Sequence, residues 1–337
     1  MGSKKIRQRQ TIIANYLTTI CWFNDLIVDW ASAGKWYSLD GKTGQFGKYH
    51  YAFTFDSCVI SQNGHYAFIY KRLGTKGLLL KNGELLREIN RSYNWASAYD
   101  YPVAFANVGN ITYLIHCPIA CNRLDFENAE TGEIITNIPK RKPSDVFHSR
   151  LEVNQDNSFL MSKGWVWHPL DIVEVFKIED CIKNPLLLDK SGLSPKLDVE
   201  ICTANFIDSS NVLIGSSNEI IDEDAVDLPV KHLAIWNLAA NQITNSINVK
   251  SEFGNIYAIN KRFAWDTFDF PKIIDLKTGE IVEKDETIDS GKQNSSIITD
   301  SDKLPLIAFN QQTKQLAIAK NNKIEVLTPS EFISSSL

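Results

Sequence analysis

The chain has 337 residues, 44% of them hydrophobic and 22% charged, with six cysteines and a formal net charge of -5. That length would serve two ordinary domains, but no low-complexity linker divides it, and a repeat array of this size closes into one unit. The acidic balance argues against nucleic acid as a partner, since phosphate binders carry a basic excess, and the cysteines show neither a disulfide framework nor a paired zinc spacing.

At the amino terminus, Lys4, Lys5, Arg7 and Arg9 make residues 1–10 a basic extension before the apolar Thr11 to Phe23, and Ala31-Ser32-Ala33 has the small residues of a cleavage site. Asn15, Thr18, Thr19, Asn24, Asp25 and Asp29 interrupt that pattern, so the segment reads as a strand and not as a signal peptide. Ile6 stands where a myristoylation motif beginning at Gly2 needs Ser or Thr. No apolar run reaches the ~20 residues that span a bilayer. A cytoplasmic protein without a membrane partner is expected.

From Leu39 onward a phrase recurs: a short apolar strand, a polar turn, another strand. Its turns are Asp40-Gly41-Lys42-Thr43-Gly44, Asn82-Gly83, Asn128 to Gly132, Ala239-Ala240-Asn241 and Lys277-Thr278-Gly279. A second, offset set of turns precedes the strands His65 to Ile69, Ile111 to Ile115, Ser158 to Met161, Asn211 to Ile214 and Gln315 to Ala319. The steps between Gly64, Gly109, Asn157 and Ser210 are 45, 48 and 53 residues, and the next step, to Lys314, is 104, or two units of 52. Fainter units at Arg262 to Trp265 and Asp25 to Trp30 bring the count to seven, with six or eight as the neighbouring possibilities. Between them, Glu179 to Lys183 reads as a single helical turn that Pro185 stops.

Each unit holds three or four strands rich in Ile, Val, Phe, Tyr and Trp, and a lone sheet of that size cannot bury both faces. Packing the sheets around an axis solves this, at 40–50 residues per blade. The Gly64-His65 turn and the strand ending Leu233-Ala234-Ile235-Trp236-Asn237 resemble the WD-repeat family of β-propellers, although no unit carries its full Gly-His to Trp-Asp signature. The resemblance implies an all-β, single seven-bladed propeller over residues 11–330, with a Ser-rich tail at 331–337. The last unit ends at Lys323 to Leu327 with its sheet edge open, so Thr11 to Leu17 is expected to supply the closing strand.

Chemical motifs are missing from the sequence: no Gly-x-Ser-x-Gly elbow, no phosphate-cradling Gly-rich loop, no His-Glu-x-x-His and no calcium-loop acid ladder. Neither a catalytic residue, a metal site nor a cofactor is assigned. In a propeller, the connections from fourth to first strands and from second to third strands share one face. On this chain they gather Tyr93, Trp95, Tyr99, Tyr101, Trp167, His168, Asp222, Glu223 and Asp266, aromatic anchors beside acids, which suits a partner-binding surface. Because Trp165 and Trp167 alternate along a strand, one of them belongs to the core. The function expected is a monomeric, non-catalytic scaffold that binds a partner protein, with neutralisation of a toxin or effector as a narrower form. The alternative is a lactonase-like hydrolase with three or four ligands converging over the channel.

Overall fold

The computed structural model describes residues 3–6, 8–195, 197, 199–221, 228–299 and 304–334, and these form seven sheets. Blade 1 comprises Cys21–Phe23, Leu26–Asp29, Lys35–Ser38 and Thr43–Gln45. Blade 2 comprises Ser57–Ile60, Tyr66–Tyr70, Lys76–Lys81 and Glu84–Asn90. Blade 5 (Val199–Phe206, Asn211–Ile220, His232–Asn237, Gln242–Asn248) and blade 6 (Ile256–Ala258, Phe263–Asp266, Lys272–Asp275, Ile281–Lys284) are likewise four-stranded up-and-down sheets. The two units most weakly marked in the sequence, the first and the sixth, are therefore complete blades.

Blades 3 and 4 are the incomplete ones. Val103–Val108, Ile111–His116 and Asp125–Asn128 form blade 3, and a single bridge from Glu127 to Ile134 stands where a fourth strand would run. In blade 4, Glu152–Val153, Phe159–Val166 and Leu170–Lys177 are followed by helix Ile178–Lys183 and a 3-10 turn at Pro185–Asp189, before Leu193 returns to bridge Val175. Pro185 has no N–H to continue the helix and instead opens the 3-10 turn.

The apolar side chains sort by interface. Seven large buried clusters lie one between each adjacent pair of blades, from Val28, Ile69 and Leu80 between blades 1 and 2 to Tyr37, Ala317 and Val326 between blades 7 and 1. Two of the strands covered on both faces, Tyr66–Tyr70 and Val199–Phe206, are buried at every position. The outermost strand of blade 5, Gln242–Asn248, is largely exposed and mostly polar. Exposure is thus greatest on this outermost strand, as expected where sheets stack face to face and leave their outer edge to solvent.

The ring closes through the amino terminus. Blade 7 joins Leu306–Phe309, Leu316–Lys320 and Lys323–Thr328 to Gln8–Ile13, paired antiparallel from Gln8 opposite Thr328 to Ile13 opposite Lys323. The closing strand thus begins three residues before the expected Thr11 and stops at Ile13. There the Ala14 N–H bonds the Asn322 carbonyl and Tyr16 turns into the left-handed region, releasing the chain toward blade 1. Two residues upstream of this strand, Lys4–Lys5 add a parallel strand to blade 6, and Ile6 is buried in the cluster between blades 6 and 7. Arg9 binds Glu325 of blade 7 at 2.9 Å and Asp285 beyond blade 6 at 3.1 Å. The terminus therefore laces two blades, not one.

Two predictions follow from this packing. Deleting residues 1–13 opens blade 7 and should markedly lower the thermal midpoint, while Ile6→Ala should cost about 2–5 kcal/mol by urea denaturation; an unchanged midpoint after deletion would show that closure lies elsewhere. Glu174 in blade 4 is buried, accepts the Gly192 N–H at 3.0 Å and leaves its other oxygen unpaired, so burial pushes its pKa up to about 7. The folded state then holds this proton more tightly than the unfolded chain, and stability is lost as pH rises from about 4.5 toward 7. Glu174→Gln should be near neutral at pH 4 and stabilising above pH 7, by up to the order of 3 kcal/mol in denaturant titrations. A pH-independent effect would refute it.

Candidate interaction face

The connection from blade 2 to blade 3, residues 91–102, is organised by one buried cation. Arg91 donates from Nε to the Gly74 carbonyl at 2.7 Å, from Nη1 to Asp100 at 3.1 Å, and from Nη2 to Arg72, Ala96 and Tyr99 at 3.2, 2.7 and 2.9 Å. Its guanidinium also lies 4.7 Å from the Tyr99 ring and 4.9 Å from that of Tyr101, a cation–π sandwich. Five carbonyls, those of Arg72 and Gly74 in blade 2 and of Ala96, Tyr99 and Asp100 in the loop, thereby converge on one cation, and the loop is pinned around it.

That arrangement divides the aromatic residues of the loop. Tyr99 and Tyr101 are 1% exposed and belong to the interior, whereas Tyr93 is 87% and Trp95 48% exposed. Trp167, from the turn between second and third strands of blade 4, is also 48% exposed and meets Trp95 edge to face with ring centroids 5.4 Å apart. Beneath them Trp165 is buried and stacks on Phe147 at 4.1 Å, with Tyr99 packed at right angles to both. Trp167 rests edge-on against Phe147 and Trp165 at 5.7 and 5.6 Å. Two partly exposed indoles thus stand on a rigid aromatic base, as the alternation of Trp165 and Trp167 implied. Trp95 at φ 56° and His168 at φ 132° hold backbone conformations that cost a non-glycine residue of order 1–3 kcal/mol, and both sit on this surface.

Three residues expected on the surface are inside instead. Besides Tyr99 and Tyr101, Asp266 is fully buried: it pairs with Lys272 at 3.1 Å and accepts the Gly254 and Phe268 N–H groups, bracing the turn of blade 6, while burial raises its pKa. None of the three can touch a partner directly. Asp222 and Glu223 lie outside the described residues.

Two features of this face escaped the sequence reading. The connection from blade 1 to blade 2 exposes Phe46, Tyr49 and Phe53, with Phe46 stacked on Trp30 at 5.7 Å. The loop rule that selects Tyr93 and Trp95 also selects this connection, where five of the ten residues from Phe46 to Phe55 are aromatic. The second is the segment leaving blade 6, which crosses the mouth of the central channel. Ser290 Oγ donates to the Thr267 carbonyl at 2.7 Å, the Ser296 N–H donates to buried Asp171 at 2.8 Å, and Ser296 Oγ accepts from Arg150 at 2.8 Å. Ile297 bridges Tyr99, and the Ile298 N–H bonds the Ala98 carbonyl at 2.8 Å. A connection between blades 6 and 7 is thus anchored on blades 3 and 4 across the axis.

Seven such sheets around a roofed channel decide the architecture. The fold is a WD-repeat-like β-propeller. A chain from the crystal structure of a mitotic checkpoint complex superposes with a TM-score of 0.58 over 98% of this chain and 94% of that one, at 11% identity. Since 1042 chains of solved structures match, the likeness identifies an architecture shared across many roles. The sequence itself matches no family model and no curated protein. Among the described residues no cluster of three or more metal-ligating side chains forms, and no helix is long and apolar enough to cross a membrane.

The crossing segment lies down only because Gly254 lets it: a Cβ there would stand 2.2 Å from the Gln293 carbonyl oxygen. Gly254→Ala should lift the segment and speed hydrogen exchange at the Ser296 and Ile298 amides. Protection equal to that of the parent protein would show that the segment is held without this approach.

Proposed function

We propose that this propeller is a non-catalytic scaffold that binds a partner protein through the face carrying Trp95 and Trp167. The observation behind this reading is that two adjacent indoles remain half in solvent although the aromatic base beneath them is fully packed. Large rigid side chains that lose little entropy on binding and bury much apolar area are the usual anchors of an interface. Exposed Tyr93, and Tyr49 and Phe53 on the neighbouring blade connection, extend the same apolar character around the face. The non-catalytic part of the reading is supported by the chain's own crossing segment, which occupies the mouth over the axis where a propeller active site would be entered. A partner that is a toxin or effector is the narrower form of this reading.

The test is affinity capture of the tagged protein from its own cells, beside a variant carrying Trp95→Ala and Trp167→Ala. Loss of an interface anchor costs about 2 kcal/mol or more, so the double variant should bind the captured protein at least ~30-fold more weakly while keeping the parent circular dichroism and thermal midpoint. A folded double variant that retains its partner at the original affinity would sink the assignment.

A further inference from the structure

Below the crossing segment the channel widens into a cavity of 210 Å3, roofed by Ser290 and Gln293. At ~30 Å3 per water molecule, it has room for a small ion with its hydration. Its charged lining is unequal, with Arg72, Arg150 and Lys163 against Asp100.

Two of these cations are already committed to the protein. Arg150 donates from Nε to the Lys163 carbonyl, from Nη1 to Asn255 and from Nη2 to Cys202 and Ser296. Lys163 is closed by Glu152 at 2.7 Å. Arg72 differs. Its Nε reaches Ser57 Oγ at 3.2 Å and lies 3.5 Å from Asp100, while Nη1 and Nη2 meet no protein acceptor among the described residues. The hydroxyls of Tyr70 and Tyr257, on the same cavity wall, likewise have no protein partner there. These residues border open space in the cavity and not only packed protein, and a group of unpartnered donors around one space marks where an acceptor can sit. The planar fork of a guanidinium matches the paired oxygens of a carboxylate or phosphate.

We propose that the cavity is a binding site for a small oxyanion, a carboxylate or a phosphate, held by the Nη groups of Arg72 and by the hydroxyls of Tyr70 and Tyr257. Asp100 stands 3.5 Å from Arg72 Nε and so engages one edge of the guanidinium; burial raises its pKa, and Arg72 is the largest influence opposing that rise. The site lies on the axis beneath the interaction face and does not depend on partner binding there.

The test is thermal denaturation of the full chain, with sodium phosphate, acetate and malonate each titrated against sodium chloride at equal ionic strength. A rise in the midpoint that saturates with phosphate alone identifies a phosphate site, and one that saturates with either organic anion identifies a carboxylate site. In both cases Arg72→Gln should weaken the apparent affinity at least tenfold. No saturable rise with any of the three, or the same rise in the Arg72→Gln protein, overturns the proposal. Should that variant fail to fold, Tyr257→Phe, which removes one hydroxyl, replaces it: weaker binding supports the site and unchanged binding overturns it.

Discussion

Everything in this molecule depends on covering both faces of sheets only three or four strands wide. Neither face of such a sheet can be left to water when its inner strands are buried at every position, as in Tyr66–Tyr70 and Val199–Phe206. The seven apolar clusters between blades meet that need only if the ring is closed, because an open ring would expose the cluster between blades 7 and 1. Closure therefore falls to the residues that hold the two ends of the chain together. That explains why a basic terminus is tied down so thoroughly: Gln8–Ile13 completes one blade, Ile6 is buried beside it, and Arg9 spans two acidic partners.

A closed ring leaves the blade connections free to vary, since they contribute little to the covered faces. Here they are used to build structure of their own. Arg91 serves as a core for a loop that has no ladder, and the Phe147–Trp165 stack serves as a floor for a turn that has no sheet neighbour. In both cases a compact buried group fixes the direction of the aromatic side chains above it. Binding surfaces gain from that fixity because ordering long side chains costs up to ~1.5 kcal/mol each at the moment of association.

The fold was legible because its turns need unusual backbone. Gly64, Gly109, Asn157 and Lys314, four of the five landmarks that set the repeat spacing, have positive φ, Ser210 being the exception, and so do Gly41, Gly83, Gly132, Asn241 and Gly279 in the other set. Glycine and asparagine mark those positions in any sequence, since few other side chains tolerate the left-handed region. The face was only partly legible, because direction depends on contacts far apart in the chain. Tyr93, Trp95, Tyr99 and Tyr101 look alike as residues in a loop, and nothing local states that Arg91 turns the last two inward. Asp266 likewise reads as a loop acid until Lys272 is seen against it. The crossing segment left no signal at all. Its anchors, Asp171, Arg150 and Ala98, are more than a hundred residues away, and Ser-Ser-Ile is an ordinary loop sequence.

That segment also ties together regions a propeller usually keeps separate. Ile297 and Ile298 pair with Tyr99 and Ala98, so the roof of the channel and the loop bearing Trp95 share a short piece of sheet. Ser296, next to them, is held by Asp171 and Arg150, and Arg150 in turn lines the cavity below. Any coupling between the aromatic base and the roof would run through these few contacts, the Ile298 N–H to the Ala98 carbonyl and the bridge of Ile297 to Tyr99. Coupling of this kind requires a contiguous set of packed groups with little slack between them. Tyr99 meets that requirement directly, since it touches Phe147, Trp165 and Arg91 on one side and Ile297 on the other. Buried and not itself a surface anchor, it is the residue that touches both the aromatic base under the indoles and the roof of the channel.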